Sequence, residues 1–116
     1  MPPDIVGTLE QIHEAAGYIE ADAAGLTFDT FMADRRTRQA VERNFVNIGE
    51  SVNRLRRHAP DVAARISPSN EMVGFCNQLA YDYDQVEYFP LWRAVQEALP
   101  VLRAEVEMLL RESESR

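Results

Sequence analysis

Residues 74–86, GFCNQLAYDYDQV, gather most of the side chains in this sequence that are equipped for chemistry. They include the only cysteine, Cys76, two tyrosines, Tyr81 and Tyr83, and the acids Asp82 and Asp84, with Glu87 just beyond. A thiol attacks only as the thiolate, so Cys76 would need a basic neighbour to lower a pKa of about 8.5. The two histidines, His13 and His58, are remote in sequence, and packing in a helical core is the simpler role for this cysteine. Phenols, with a reference pKa of about 10, are weak bases, and at a helix end they also serve as amphipathic residues with a wet hydroxyl. The carboxylates of Asp82, Asp84 and Glu87 lie close in sequence but lack metal-ligand spacing, and their run reads as a solvated helix end. With one cysteine and no ligand-like histidine pair, neither a disulfide, a structural metal nor a cofactor is expected.

Arginines are the second group to consider. The net charge is −7, which argues against a general nucleic-acid coat protein. Its distribution is uneven. Residues 1–34 carry seven acids and no Lys or Arg, residues 35–65 carry eight arginines against three acids, and residues 66–116 carry four against nine. All of the Lys/Arg positions are Arg, whose guanidinium suits bidentate phosphate contacts. Arg35, Arg36 and Arg43 open this central segment, which could meet phosphate or an acidic partner. The competing reading is a solvated helix face whose charges pair with the acidic flanks.

Helical periodicity dominates the elements that would position these groups. Ile5, Leu9, Ile12, Ala16 and Ile19 repeat at 4-3-4-3 spacing, predicting a first helix from an Asp4 cap to about Gly25. Thr27 precedes a short turn over 28–33, and Asp34 is placed to cap a second helix. That helix carries the stripe Val41, Phe45, Ile48, Val52 and Leu55 and stops near His58, before Pro60. DVAARI at 61–66 predicts one or two further helical turns. Ser67-Pro68-Ser69-Asn70 is a turn cluster. Met72, Phe75 and Leu79 start a third stripe, which Val86 extends. Pro90 falls in the first turn of a fourth helix bearing Leu91, Val95, Ala98, Leu102, Val106 and Leu109, with Pro100 expected to kink or split it near Ala98. These elements predict one all-α domain over residues 1–112, an antiparallel up-and-down four-helix bundle with a short extra helix between helices 2 and 3. A frayed tail would follow at 113–116. A small bundle with long apolar stripes is expected to form a homodimer or to bind another protein. No run of about 18 apolar residues or secretory leader is present, so a cytoplasmic protein with no membrane span is expected.

Specific blocks within this frame resemble a known family. Arg36-Thr37, Ala40-Val41-Glu42-Arg43 and Ile48-Gly49-Glu50-Ser51 resemble the second helix of the HepT-like branch of the HEPN superfamily. Val73-Gly74-Phe75, Asn77, Leu79, Tyr83, Trp92 and Leu99-Pro100 sit where that family's third and fourth helices place them. The likeness covers nearly the whole chain. It implies a dimerising helical bundle and a metal-independent endoribonuclease toxin, encoded beside a minimal nucleotidyltransferase that acts as its antitoxin. It also implies a catalytic motif of the form R-N-x-x-x-H-x-Y, which places the family's Arg at Cys76, its His at Tyr81 and its Tyr at Tyr83. Asn77 and Tyr83 match, and the two residues that carry the chemistry do not. In some HepT-like systems the motif tyrosine is adenylylated by the partner enzyme, which makes Tyr83 a candidate for that modification.

These departures matter because metal-free RNA cleavage needs a proton acceptor for the 2′-hydroxyl and positive charge at the scissile phosphate. Losing the acid–base group costs roughly 10²–10⁴ in rate, and losing a charge-stabilising donor about 10²–10³. On an unbroken helix Cys76 and Tyr83, seven apart, would share a face and Tyr81 would point about 140° away. The motif thus needs a helix that deforms near residue 80 or a site completed across a dimer. Three functional readings follow: an impaired HepT-like toxin component, an active ribonuclease using other arginines, or a non-catalytic helical adaptor. The degenerate pair is compatible with natural degeneration or with an inactivating variant.

Overall fold

The structure is a computed structural model, and it describes residues 1–114. Helix α1 (Pro3–Ala23) begins directly at the proline pair. The ring of Pro3 presets a helical φ, and its missing N–H is one that a first turn leaves unpaired anyway. Asp4 is consequently inside the helix and is not the cap the sequence suggested. Its backbone carbonyl already accepts the Thr8 hydroxyl at 2.9 Å, and its carboxylate complements the positive end of the helix dipole. Past Ala24 the chain reverses at Gly25, whose φ of 77° is unfavourable for a residue with a Cβ.

Residues 28–33 are more than a turn. They form α2 (Phe28–Ala33), held by a capping box in which Thr27 and Thr30 each accept the other's backbone N–H, at 2.8 and 3.2 Å. Asp34 caps α3 (Arg35–His58), as its sequence position predicts, accepting from the Thr37 amide at 3.1 Å and the Thr37 hydroxyl at 2.8 Å. Pro60 opens the short α4 (Pro60–Ala63), the extra helix expected between the second and third long segments. Next come α5 (Ser69–Tyr81), α6 (Tyr88–Gln96) and α7 (Ala98–Glu114). The fourth segment is split at Glu97, and Pro100 falls in the first turn of α7, where it displaces no hydrogen bond. Of the tail at 113–116, residues 113 and 114 are helical, and 115 and 116 lie outside the described residues.

The four long segments assemble as an all-α helical bundle, with no strand among the described residues. The second segment is central: α3 packs against both α1 and α5, and α1 packs against α7. The predicted stripes face inward. Leu9, Ile12, Ile19, Phe45, Ile48, Leu55, Met72, Leu91 and Leu102 are fully buried. Aromatic contacts fasten the site-bearing end, with Phe45 and Phe75 rings 5.6 Å apart across α3 and α5, and Phe31 and Trp92 5.0 Å apart.

Candidate functional site

The chemistry-bearing residues sit where α5 ends beside the first half of α3. Approach of the two helices is set by Gly49. A Cβ built on Gly49 would fall 2.2 Å from the Cys76 Cβ and 3.0 Å from the Met72 carbonyl oxygen, so only hydrogen fits there. Cys76 is the residue filling that seam. It is buried, and its thiol is pushed above its usual pKa by burial first and by the charge of Glu50 second. Neither histidine serves it as a base. His13 bonds Glu107 across α1 and α7 at 2.9 Å, and His58 lies beside Met1 and Arg65 at the far end of α3. The geometry gives the packing role that the sequence offered as the simpler alternative.

Tyr81 is the last residue of α5 and is 83% exposed. The helix stops because Asp82 leaves helical geometry (φ −135°, ψ 48°), and a 3-10 turn, Tyr83–Gln85, follows. The helix breaks close to residue 80, the first of the two options the motif spacing allows, so Cys76 and Tyr83 do not share the face that an unbroken helix would give them. Val86, expected to extend the third stripe, instead packs against the core from outside any helix. The three motif positions therefore face three environments. Cys76 points into the core, Tyr81 into solvent and Tyr83 towards α3.

Tyr83 is 53% exposed, yet its hydroxyl is engaged. It donates to the Glu42 carboxylate, 3.0 Å from Oε1 and 3.2 Å from Oε2. Glu42 is buried (6% exposed) and also accepts the Tyr88 hydroxyl on Oε2 at 2.5 Å, while the two phenol oxygens lie 3.3 Å apart. Burial, reinforced by the bond to Glu42, raises the Tyr88 phenol well above its usual pKa. The Tyr88 ring is covered by the Arg38 guanidinium at 5.7 Å, and Arg38 also donates to the Met32 carbonyl. Glu42, Tyr88 and Arg38 are site residues that the sequence reading did not single out. One signal for them is local: Glu42 is three residues before Phe45 and seven before Gly49, an acid in phase with buried positions of α3.

The remaining candidates are on the surface. Asn77 is exposed on α5, and Asp82, Asp84 and Glu87 are exposed around the turn. No group of three or more His, Cys, Asp or Glu among the described residues could hold a metal ion. Arg35, Arg36 and Arg43 are all exposed on α3, and none has a carboxylate within ion-pair distance among the described residues. Arg36 does help to hold the Asp34 carboxyl low, after the dominant Thr37 bonds. None of the described helices is long and apolar enough to cross a membrane.

Comparison with known proteins places this arrangement. The model of the Ribonuclease HepT-like family matches residues 8–109. A Methanocaldococcus jannaschii protein named provisionally as an RNase is 31% identical over 110 residues, covering 91% of this chain and 96% of that protein. A Thermococcus cleftensis protein named provisionally as ribonuclease HepT is 32% identical over 105 residues, covering 87% of this chain and 91% of its own length. A third, from Caldanaerobacter subterraneus subsp. tengcongensis and also provisionally an RNase, is 26% identical over 102 residues, 88% of this chain and 90% of that one. No solved structure matches significantly.

Proposed function

The chain belongs to the ribonuclease HepT-like family, and from that premise we propose that it is the toxin-type component of a toxin–antitoxin module whose nuclease chemistry is impaired. The observation that carries the impairment is the state of the two motif positions. Cys76 is a buried thiol, held protonated by its surroundings, and gives the phosphate no cation. Tyr81 is a solvent-facing phenol that hydrogen-bonds to no other described residue, so nothing is arranged to make it a base. Either loss alone lowers the rate by roughly 10² or more.

The other features of the family are read onto the chain in the same way. It acts in the cytoplasm as a homodimer paired with a minimal nucleotidyltransferase antitoxin. Arg35, Arg36 and Arg43 contact RNA or that partner, and Tyr83 is the adenylyl acceptor. Exposure of all three arginines, with no ion-pair partner among the described residues, supports the second of these statements.

Restoration is the direct test. Cys76→Arg combined with Tyr81→His, with folding followed by circular dichroism, is expected to yield RNA cleavage absent from the parent chain. A folded double variant that is neither toxic nor ribonucleolytic would remove the former nuclease site from consideration. A second reading, an active ribonuclease that draws its cation from elsewhere, is favoured by the same three exposed arginines. It requires that the unaltered chain cut RNA, and that Tyr81→Phe or Arg35→Ala abolish the cut.

A further inference from the structure

Tyr81 and Tyr83 are exposed phenols two residues apart, but their hydroxyls differ in chemical situation. The Tyr81 hydroxyl makes no hydrogen bond to a described residue. The Tyr83 proton is aimed at the buried Glu42 carboxylate, and the Tyr83 oxygen, on a ring that is 53% exposed, lies 3.3 Å from the Tyr88 hydroxyl. Glu42 does not swing freely, because Tyr88 bonds its Oε2, and Tyr88 is itself pinned beneath Arg38. A nucleophile within hydrogen-bond reach of a base, with that base oriented by a third group, is the arrangement that activates a hydroxyl.

We propose that Glu42, oriented by Tyr88, is the proton acceptor that makes Tyr83 rather than Tyr81 the phenol presented to a nucleoside triphosphate. The inference rests on the reading above that Tyr83 is the adenylyl acceptor. In the step, the Tyr83 oxygen attacks the α-phosphorus of the triphosphate held by the nucleotidyltransferase. A new O–P bond forms, the bond from the α-phosphorus to the bridging oxygen breaks, and pyrophosphate leaves. The phenolic proton passes to the Glu42 carboxylate.

The test needs only the full chain and two phenol-directed probes. One is 5′-(4-fluorosulfonylbenzoyl)adenosine, which carries a nucleoside, and the other is N-acetylimidazole, which does not. Labelling is read by peptide mass spectrometry as the ratio of Tyr83 to Tyr81 within the same molecules, and only variants whose circular dichroism and urea midpoint match a folded chain are scored, because general loosening would also draw the ratio towards one. The unaltered chain is expected to favour Tyr83 by about tenfold or more with both probes. Glu42→Gln keeps the shape and one acceptor oxygen but takes up no proton, and should bring the ratio close to one. Tyr88→Phe should lower it several-fold. Should Glu42→Gln fail to fold, Glu42→Asp, which draws the carboxylate back, and Tyr88→Phe decide the matter by the same ratio. Equal labelling in the unaltered chain, preference for Tyr81, or a ratio indifferent to these substitutions would overturn the proposal. If the ratios behave as expected while a co-expressed minimal nucleotidyltransferase leaves Tyr83 unmodified, the role of Glu42 stands and the partner reading falls.

Discussion

Gly49→Ala is the smallest change that probes the seam holding the site together. The added methyl carbon would lie 2.2 Å from the Cys76 Cβ, more than 1 Å short of the 3.4–4 Å of ordinary contact. It would also crowd the Met72 carbonyl at 3.0 Å. Both obstacles are tied to the α5 backbone, so no side-chain rotation relieves them, and α3 and α5 must part locally. Overpacking of this kind costs up to about 3 kcal/mol or more, against about 1 kcal/mol gained from the better helix propensity of alanine. A net loss of about 2–3 kcal/mol lowers Tm by roughly 10 °C for a domain of this size. Thermal melts at 222 nm, with urea unfolding to confirm an unchanged m-value, measure it. Gly74→Ala on α5 is the internal control. Nothing lies within 4 Å of a Cβ there, so the same substitution should raise Tm by about 2–4 °C. In the Gly49→Ala background, Cys76→Gly should recover most of the loss, and Cys76→Ala, which keeps the offending Cβ, should recover little. A Gly49→Ala protein that melts at or above the parent, or equal rescue by the two Cys76 variants, would refute the claim of close helix approach.

Three other expectations rest on separate contacts. Tyr88→Phe leaves a buried carboxylate one donor short and should cost about 1.5–3 kcal/mol, while Tyr83→Phe, at a half-exposed position, should cost less than about 1 kcal/mol; chemical denaturation ranks them, and a reversed order contradicts the burial argument. The Asp34 carboxyl is held below its ordinary value of 3.8, chiefly by the Thr37 amide and then the Thr37 hydroxyl. A depressed carboxyl stabilises the fold above its unfolded pKa and loses that effect as pH falls through the folded one. Asp34→Ala should therefore lower Tm at neutral pH, with the gap closing as pH drops below 3.8; a gap independent of pH would dissociate the cap from its charge. Finally, Cys76 should react with an aromatic disulfide reagent at neutral pH about tenfold or more slowly in the native chain than in urea, given its burial and raised pKa. Equal rates would place the thiol outside the seam.

The parts of this molecule that can be read from its sequence are those whose causes are local. Apolar stripes at helical spacing locate α1, α3, α5 and the α6–α7 segment, because burying one face of a helix requires that spacing. Asp34 is readable as a cap and Pro100 as a break because each acts within one turn. Errors of detail have equally local causes. Pro3 outcompetes Asp4 for the start of α1, and the Thr27–Thr30 reciprocal bonds turn an expected bend into a helix. The site is different in kind. Glu42 is 41 residues from Tyr83 and 46 from Tyr88, so no short window of sequence contains the carboxylate together with the phenols it binds. What can be seen locally is half of the arrangement: an acid in phase with Phe45 and Gly49, on the face of α3 that must be buried. An ionised side chain placed there demands donors from another segment, because leaving it unpaired would cost several kcal/mol. That demand marks Glu42 as a residue in need of distant donors, and the tyrosines beyond the end of α5 supply them. Residues 76 and 81 draw attention as a pair only through resemblance to a family, and their surroundings are set by packing. The thiol at 76 is defined by Gly49 opposite it, 27 residues away, and the phenol at 81 by the helix end that turns it outward.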